Sequence, residues 1–345
     1  MRHPVFRASR RQFLTSVAAA GAGVLVPARL LPQTKSPATS ARIDVHYHIV
    51  PPSLVQAVGA QRLGSASANW NPAQALEAMD QAGVSTGISS IAPAGDPFSD
   101  RATAVRLCRE CNEYAARLAA DHKRRFGIFA ALPLPNIDAS LREIEYAFET
   151  LKSDGVGLFT SYGDKWLGDP AFDAVFEELN RRNAVVYTHP NTANCCKNLL
   201  PNIGDGAIEW GTDTTRAIAQ MVFGGAAARY ANVRMIFSHG GGTMPFLIER
   251  FTAMARSAQF APKFPQGFGG AAARFFYDTA QVANPAAMSA LSKVVPISQI
   301  VFGTDYPFRT AAEHVKGLKE CGVFSPKELE AIDQNALKLL PKFIL

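Results

Sequence analysis

The sequence predicts an α/β protein in which eight parallel strands, each followed by a helix, close into a (β/α)8 TIM barrel. Short apolar runs alternate with longer amphipathic runs from residue 41 to the C-terminus. Parallel neighbours need helical crossovers, and eight such units fit roughly 250 to 300 residues. A doubly wound open sheet is the alternative, but no Gly-x-Gly-x-x-Gly follows an early strand. The barrel is therefore preferred.

The eight apolar runs give the predicted strands in chain order. They lie near residues 43–48, 84–91, 126–132, 155–159, 184–188, 233–238, 275–279 and 299–303. The amphipathic runs give the predicted helices, near residues 72–81, 100–121, 139–151, 171–182, 214–228, 244–254 and 285–294, with a last helical region from residue 313. The strict alternation of the two kinds of run favours one catalytic domain over residues 41–345.

The first 40 residues differ in composition from the rest. They hold six basic and no acidic side chains, so they account for the whole net charge of +6. Arg10-Arg11 followed by Phe13-Leu14 forms a twin-arginine pattern, and a weakly apolar run follows at residues 17–26. We expect residues 1–40 to be a twin-arginine signal and linker, recognised by the twin-arginine export machinery, and the mature protein to be periplasmic.

This charge distribution also limits the partners of the domain. Residues 41–345 carry no net charge, so no nucleic acid partner is expected. The apolar run of the leader is shorter than the roughly 20 residues that a membrane span needs, so no stable span is expected. A leader that stays uncleaved would instead anchor the protein at the membrane.

Histidines and an aspartate recur where predicted strands end. His46 and His48 close strand 1, His189 closes strand 5, His239 follows strand 6 and Asp305 follows strand 8. Side chains alternate along a strand, so the first two imidazoles share one face. Because active sites of such barrels lie at the C-terminal ends of the strands, all five side chains are expected on the catalytic face.

These residue types predict a metal site. His46, His48, His189 and Asp305 offer three nitrogens and one oxygen, a set that suits Zn²⁺ and that Mn²⁺ also accepts. Strand 4, at residues 155–160, lacks the lysine that would bridge two ions. We therefore predict one divalent metal ion, with zinc preferred over manganese.

The remaining strand-end residues have other predicted roles. A free imidazole titrates near pH 6.5, so His239 is predicted to be a catalytic acid/base, with a fourth metal ligand or simple packing as alternatives. Asp305 is expected to combine metal binding with a catalytic contact to water or substrate. Asp44 should share the face of His46 but lie one pleat deeper, where it supports the strand. His314 falls in a helical segment, so we expect it to be solvated or packed on the surface.

Two arginines are candidates for binding a substrate carboxylate. A guanidinium can grip a carboxylate through two parallel hydrogen bonds, and Arg250 and Arg216 follow the strand-6 and strand-5 ends. A surface ion pair is the alternative for each arginine. Asp213 is predicted to cap the helix that carries Arg216. Aromatic residues that could wall the pocket are Trp70, Phe159, Trp166 and Phe308.

Four motifs together resemble a known family. They are Ile43-Asp44-Val45-His46-Tyr47-His48, Thr188-His189-Pro190, Ser238-His239-Gly240-Gly241-Gly242 and Gly303-Thr304-Asp305-Tyr306-Pro307-Phe308. In this order they resemble the amidohydrolase-2 branch of the amidohydrolase superfamily over residues 42–342. Within it the chain is similar to the metal-dependent 2-amino-3-carboxymuconate-6-semialdehyde, 6-methylsalicylate and γ-resorcylate decarboxylases.

The resemblance implies an activity and an assembly. It implies a carboxy-lyase that releases CO2 from a small aromatic or unsaturated carboxylic acid without oxidation, assisted by metal-bound water and His239. It also implies that Arg250 contacts the substrate carboxylate, in some members from a neighbouring subunit, so a homodimer is expected. A metal-dependent hydrolase of a lactone or related ring on the same site is the alternative. A barrel without chemistry is disfavoured because His239 and Asp305 are both present.

Overall fold

The computed structural model describes residues 42–92 and 100–344. The predicted leader, residues 1–40, lies outside the described residues, so its division from the catalytic domain stays a prediction. Eight strands form one parallel sheet in sequential order: β1 Ile43–Ile49, β2 Thr86–Ile91, β3 Phe126–Ala131, β4 Gly155–Phe159, β5 Val185–His189, β6 Arg234–Phe237, β7 Phe276–Asp278 and β8 Ile300–Val301. Each matches one predicted apolar run.

The sheet closes between its first and last strands. Val45 N donates to Phe302 O at 3.0 Å, and His48 N donates to Tyr306 O at 2.8 Å. These bonds join β1 to the segment that continues β8. The (β/α)8 barrel predicted from the alternating runs is thereby confirmed.

Thirteen helices occur in the described ranges, most of them on the outside of the strands. They are α1 Pro52–Val58, α2 Ala60–Ala68, α3 Pro72–Ala82, α4 Arg101–Asp121, α5 Ile137–Glu149, α6 Asp173–Arg181, α7 Glu209–Phe223, α8 Ala226–Arg229, α9 Ile248–Ala255, α10 Gly267–Ala272, α11 Pro285–Val294, α12 Ala311–Glu320 and α13 Pro326–Asn335. Within those ranges, no helix combines the length and the apolar character that crossing a membrane requires.

Side-chain caps fix where several helices begin. The Asn71 side chain accepts from Gln74 N at 3.0 Å at the start of α3, and Ser325 and Glu328 form a reciprocal capping box at α13. The start predicted for α7 near residue 214 is wrong. This helix begins at Glu209, so Asp213 lies inside it rather than at its cap.

The lower half of the barrel is filled by side chains. Its interior cluster contains Ile43, Val45, Ile88, Phe129, Val185, Tyr187, Ile236 and Val301, together with Ala336, Leu339, Leu340 and Phe343 from the C-terminal segment. This segment lies at the N-terminal ends of the strands, where Arg124, just before β3, donates to Phe343 O at 3.1 Å. A packed floor leaves the C-terminal ends of the strands as the open side of the barrel.

Candidate metal centre

A bulge in β1 sets the direction of its histidines. The pairing with β2 shifts register between Asp44 and Tyr47, so Val45 joins the interior cluster while His46 and His48 still face inward. The expectation that Asp44 shares the face of these histidines is therefore wrong. Its carboxylate instead accepts hydrogen bonds from Thr304 Oγ1 at 2.6 Å and from backbone N–H groups, which ties β1 to the segment after β8.

All five strand-end side chains meet at the catalytic face. One ligand atom from each of His46, His189, His239 and Asp305 lies within 4.8 Å of the others. His48 Nε2 lies 3.0 Å from His46 Nε2 and 3.1 Å from Asp305 Oδ1. The prediction that these side chains meet rested only on their positions at strand ends and on the geometry of the barrel.

Hydrogen bonds to the far side of three rings fix their tautomers. His189 Nδ1 lies 2.8 Å from Pro190 O, and His48 Nδ1 lies 3.1 Å from Ile91 O. A carbonyl oxygen only accepts, so both Nδ1 atoms carry the proton. His46 Nδ1 is held in the same way by the carboxylate of Asp278 at 2.8 Å. Each ring therefore turns the Nε2 lone pair toward the common centre, as a metal ligand does.

Two buried atoms at this centre have no hydrogen-bond partner among the described residues. They are His189 Nε2 and Asp305 Oδ1. The latter lies 3.2 Å from His46 Nε2 without bonding geometry. Burying an unpaired acceptor is costly, whereas a cation would coordinate both atoms. The donor set thus fits one divalent metal ion held by nitrogens and a carboxylate oxygen.

The electrostatics of the cluster also favour a cation. Burial alone lowers the pKa of His46, but the carboxylates of Asp278 and Asp305 outweigh it and raise this pKa to about 10, so without an ion the Nε2 atom also carries a proton, which a bound cation would replace. Burial lowers the pKa of His48, and with help from neighbouring imidazoles holds that of His189 well below its usual range. Burial opposes the charge of Asp305, yet His46 and other partners keep its pKa well below normal. A divalent ion would balance this buried negative charge.

Three residues at the site have left-handed backbone. His239, Gln281 and Asp305 adopt φ values of 52°, 56° and 68°. L-residues pay roughly 1–3 kcal/mol for such a conformation, and it persists where the surroundings enforce it. Gly303, two residues before the aspartate, allows close approach because an added Cβ would lie 2.9 Å from His46 Cβ.

Two polar side chains that contact the cluster were not predicted. Asp278 ends β7, and its second oxygen accepts from His239 N at 2.8 Å, so one carboxylate orients two of the histidine positions. The Gln281 side chain donates to Asp305 Oδ2, which also lies 3.4 Å from His239 Nε2. The strand-end rule that selected Asp305 applies equally to Asp278 and could have found it.

His314 corrects a further expectation. It was predicted to be solvated or packed on the surface, but it is buried and its Nε2 lies 2.9 Å from Thr279 Oγ1. That hydroxyl donates to Gly303 O at 3.1 Å. His314 therefore supports the segment that leads to Asp305 without joining the cluster.

A pocket lies beside the cluster, inside the upper barrel. Small side chains on β2, β3 and β4 open it, and aromatic rings wall it. Its lining includes Ser90, Ala131, Gly157, Phe159, Tyr187 and His189. Of the predicted aromatic wall, Phe159 lines this pocket and Phe308 lies 5.8 Å from the His48 ring. Trp166 instead donates to Asp213 at 2.6 Å.

Neither predicted arginine contacts the cluster. Arg250 is exposed on α9, and no hydrogen bond or ion pair of its side chain occurs within residues 42–92 and 100–344. Arg216 lies on α7, 3.5 Å from Glu209 and over the ring of Trp166 at 5.7 Å. The surface ion pair considered for it is the arrangement found.

Comparisons with known proteins agree with this geometry. The closed (β/α)8 barrel and the histidine–aspartate cluster at its C-terminal face define the class of this protein. It is a TIM barrel with a candidate metal site. A family model described as Amidohydrolase matches residues 43–342. The chain belongs to the amidohydrolase family, which confirms the resemblance seen in the four motifs.

Named relatives and a solved structure extend the comparison. The decarboxylase yanB of Aspergillus niger is 35% identical over 324 residues, 88% of each chain. The 6-methylsalicylic acid decarboxylase of Penicillium expansum is 35% identical over 284 residues, 77% of this chain and 85% of that protein. A dihydroxybenzoic acid decarboxylase from Polaromonas sp. JS666, solved with bound manganese and 2-nitroresorcinol, shares the fold with a TM-score of 0.75 at 20% identity, covering 89% of this chain and 98% of that one.

Proposed function

We propose that this protein is a metal-dependent, non-oxidative decarboxylase of a small aromatic carboxylic acid. One observation carries the proposal: three imidazole Nε2 atoms and a buried carboxylate oxygen converge beside a pocket with aromatic walls. The two relatives at 35% identity are both named decarboxylases, and one is named for an aromatic acid. Together they favour release of CO2 from an aromatic acid over lactone hydrolysis.

His46, His48, His189 and Asp305 would hold the ion. When bound, it supplies positive charge that anchors the acid and draws electron density from it. The pocket measures about 20 Å³ in the structure, so the acid would have to widen it for its ring to lie against Phe159 and the other aromatic walls. The floor below is closed by packed side chains, so water reaches the acid only from the open, C-terminal side of the barrel.

The His239–Asp305 pair provides the proton. His239 Nε2 lies 3.4 Å from Asp305 Oδ2, and Gln281 donates to that same oxygen and orients it. The proton held by this pair goes to the ring carbon, the bond from that carbon to the carboxylate breaks, and CO2 leaves. The net change is one proton taken up and one CO2 released, and the pair regains its proton from water.

Metal content and CO2 release test the proposal together. Purified protein is expected to hold one divalent ion per chain and to evolve CO2 from salicylates in preference to carboxymuconates. The His46→Ala variant serves as the metal-free control. Opening of a lactone without CO2 from any acid would favour the hydrolase instead.

The proposed ion is Zn²⁺, with Mn²⁺ as its competitor. Three imidazoles and one carboxylate suit tetrahedral zinc, which tolerates a further ligand. Elemental analysis of the purified protein, then activity after chelation and return of each ion, separates the two. Higher activity with Mn²⁺ at equal occupancy would reverse the assignment.

The proposed assembly is a homodimer in which Arg250 of each chain reaches the pocket of its partner. The Arg250 side chain is exposed and forms no ion pair with the described residues, which supports a role outside its own subunit. Mixing Arg250→Ala with His46→Ala chains would then create one complete site and restore activity. A monomer, or no restored activity, contradicts this, and activity lost in Arg216→Ala would move the role to Arg216.

Export through the twin-arginine pathway to the periplasm is also proposed. The basic leader with its Arg10-Arg11 pair supports it. Replacing both arginines by lysine should retain the protein in the cytoplasm, as measured by fractionation. Periplasmic protein that keeps residues 1–40 and sediments with membranes would indicate an uncleaved anchor.

A further inference from the structure

A second cavity lies at the opposite end of the barrel from the metal centre. It is enclosed by the end of α7, the start of β6 and residues 263–275 before β7. Arg234, which lines the cavity, is the first residue of β6, whereas His239, in the metal centre, follows the C-terminal end of this strand. The full length of β6 therefore separates the cavity from the metal centre. The cavity volume of about 520 Å³ falls in the range of pockets that hold small organic ligands.

The polar lining of this cavity is basic. Arg234, Lys263 and Arg274 line it, and its described lining contains no aspartate or glutamate. Arg234 donates to Asn183 O at 2.9 Å and Arg274 to Ala231 O at 3.3 Å. In the part of the chain that the structure describes, none of these three cations forms an ion pair.

Arg234 is the least satisfied of the three. Its Nε is buried and has no hydrogen-bond partner within residues 42–92 and 100–344. Burial also lowers the pKa of its guanidinium, since no carboxylate offsets the loss of water. Arg234 and Arg274 both line the cavity, and the planar geometry of a guanidinium matches that of a carboxylate.

The remaining walls of the cavity are apolar, and they indicate what the ligand carries besides its anionic group. Met221 and Val222 from α7, Met235 from β6, and Phe264 and Phe275 supply aliphatic and aromatic surface. A small inorganic anion would leave this surface exposed to water, whereas an anion with a hydrocarbon body would cover it. Charge and apolar surface therefore point to the same class of ligand.

We propose that this cavity is a second binding site, for an amphipathic monocarboxylate with an alkyl or aryl body. The carboxylate meets Arg234 and Arg274, and the apolar body lies along Met221 and Phe264. This site is independent of the proposed decarboxylase activity, because none of its residues contributes to the metal centre.

Calorimetric titration of the metal-loaded protein with decanoate tests the site. One saturable site is expected in the wild type. Arg274→Gln combined with Lys263→Gln should raise Kd at least tenfold, while Arg142→Gln, an exposed cation on α5, should leave it unchanged. Ala228→Phe keeps every charge but fills the cavity, and it should abolish binding.

The metal centre supplies the remaining control. His46→Ala should bind decanoate like the wild type, and the cavity variants should keep the wild-type rate of CO2 release. Unchanged Kd in both cavity variants, or binding lost in His46→Ala, would overturn the second site. Neither result would bear on the proposed activity.

Discussion

The Nδ1 atom of His46 lies 2.8 Å from Oδ2 of Asp278, and both side chains are completely buried. The carboxylate fixes the tautomer of the ring and makes its Nε2 a stronger ligand, while its other oxygen holds the backbone N–H of His239. One residue at the end of β7 therefore positions groups from β1 and from the segment after β6. A metal ligand set that is prearranged in this way loses less freedom when the ion binds.

The first prediction concerns Asp278→Asn. The amide can still face His46 but carries no charge, so metal affinity should fall about 10- to 100-fold. Competition with a chromogenic chelator measures this directly. Asp154→Asn removes another buried carboxylate, one that accepts from Ile128 N at 2.8 Å, and it should leave metal affinity unchanged. Equal affinity in the Asp278 variant and the wild type would contradict the orienting role.

How far the sequence predicted this site depends on the range of the interactions. His46, His48, His189 and Asp305 were found because strand alternation and barrel geometry are regular. The direction of the Asp44 side chain was not predicted correctly, because the bulge in β1 arises from the pairing of β1 with β2. Patterns within one segment cannot reveal contacts that another segment creates.

The same limit explains the two other predictions that were wrong. His314 looked like a surface residue because its helical segment is polar, but Thr279 provides a buried partner. The true start of α7 lies before Asp213 because that carboxylate binds the loop after β4 instead of capping the helix. Both contacts join residues more than 30 positions apart.

The second prediction separates metal binding from proton transfer. His46→Ala should abolish metal binding and activity, whereas His239→Ala should keep the metal and lose about 10²- to 10⁴-fold in rate. Metal content and CO2 release are measured on the same samples, with His122→Ala as a control outside the cluster. Loss of the ion from the His239 variant would make this residue a ligand, which its distance to the cluster also allows.

The third prediction is a pH dependence of stability. Burial lowers the pKa of His314 to about 4, while the unfolded chain binds this proton near pH 6.5. Between these values the unfolded state holds more protons, so stability should decrease as the pH falls from 6.5 to 4. The contribution of this group is roughly 3 kcal/mol.

Denaturant unfolding of chelator-treated protein at several pH values checks this sign. His314→Gln retains a hydrogen-bonding group for Thr279 but does not titrate, so its stability should vary less over the same range. Parallel pH curves for the variant and the wild type would show that His314 is not the group responsible.

The fourth prediction concerns Asp213 as a positioning residue. Its buried carboxylate accepts from Thr160, Ser161 and Trp166 at 2.5, 2.8 and 2.6 Å, which fastens the loop after β4 to α7. The same helix carries Trp210, whose ring lies 5.5 Å from that of His189.

In Asp213→Asn the remaining oxygen can accept from Trp166, but the amide NH2 then faces the Thr160 and Ser161 hydroxyls, which now donate to Oδ2 and would have to turn their protons elsewhere. We expect kcat/KM to fall about tenfold, mainly through KM, with metal content unchanged. Asp173→Asn, which removes a surface ion pair with Arg229 at 3.0 Å, is the matched control. An equal fall in kcat at constant KM would indicate a direct part in the chemistry instead.

The last prediction concerns the width of the pocket at Gly157. A Cβ at this position would lie 3.6 Å from Phe129 O and 3.8 Å from Ser90 Cβ, which is ordinary contact, so the fold should accept alanine. The absent side chain leaves room for a substituent on the ring of the acid. Gly157→Ala and then Gly157→Val should therefore lower kcat/KM for ring-substituted acids more than for unsubstituted ones, by roughly tenfold for each added methyl-sized group.

The ratio of kcat/KM between the two kinds of acid is the measurement, because it cancels losses of folded protein. Gly204→Ala is the matched control, since an added Cβ there meets nothing within 4 Å. If the ratio stays constant through the Gly157 series, the substituent does not lie between β3 and β4. The acid would then have to bind with its ring turned toward Phe308, whose ring lies 5.8 Å from that of His48.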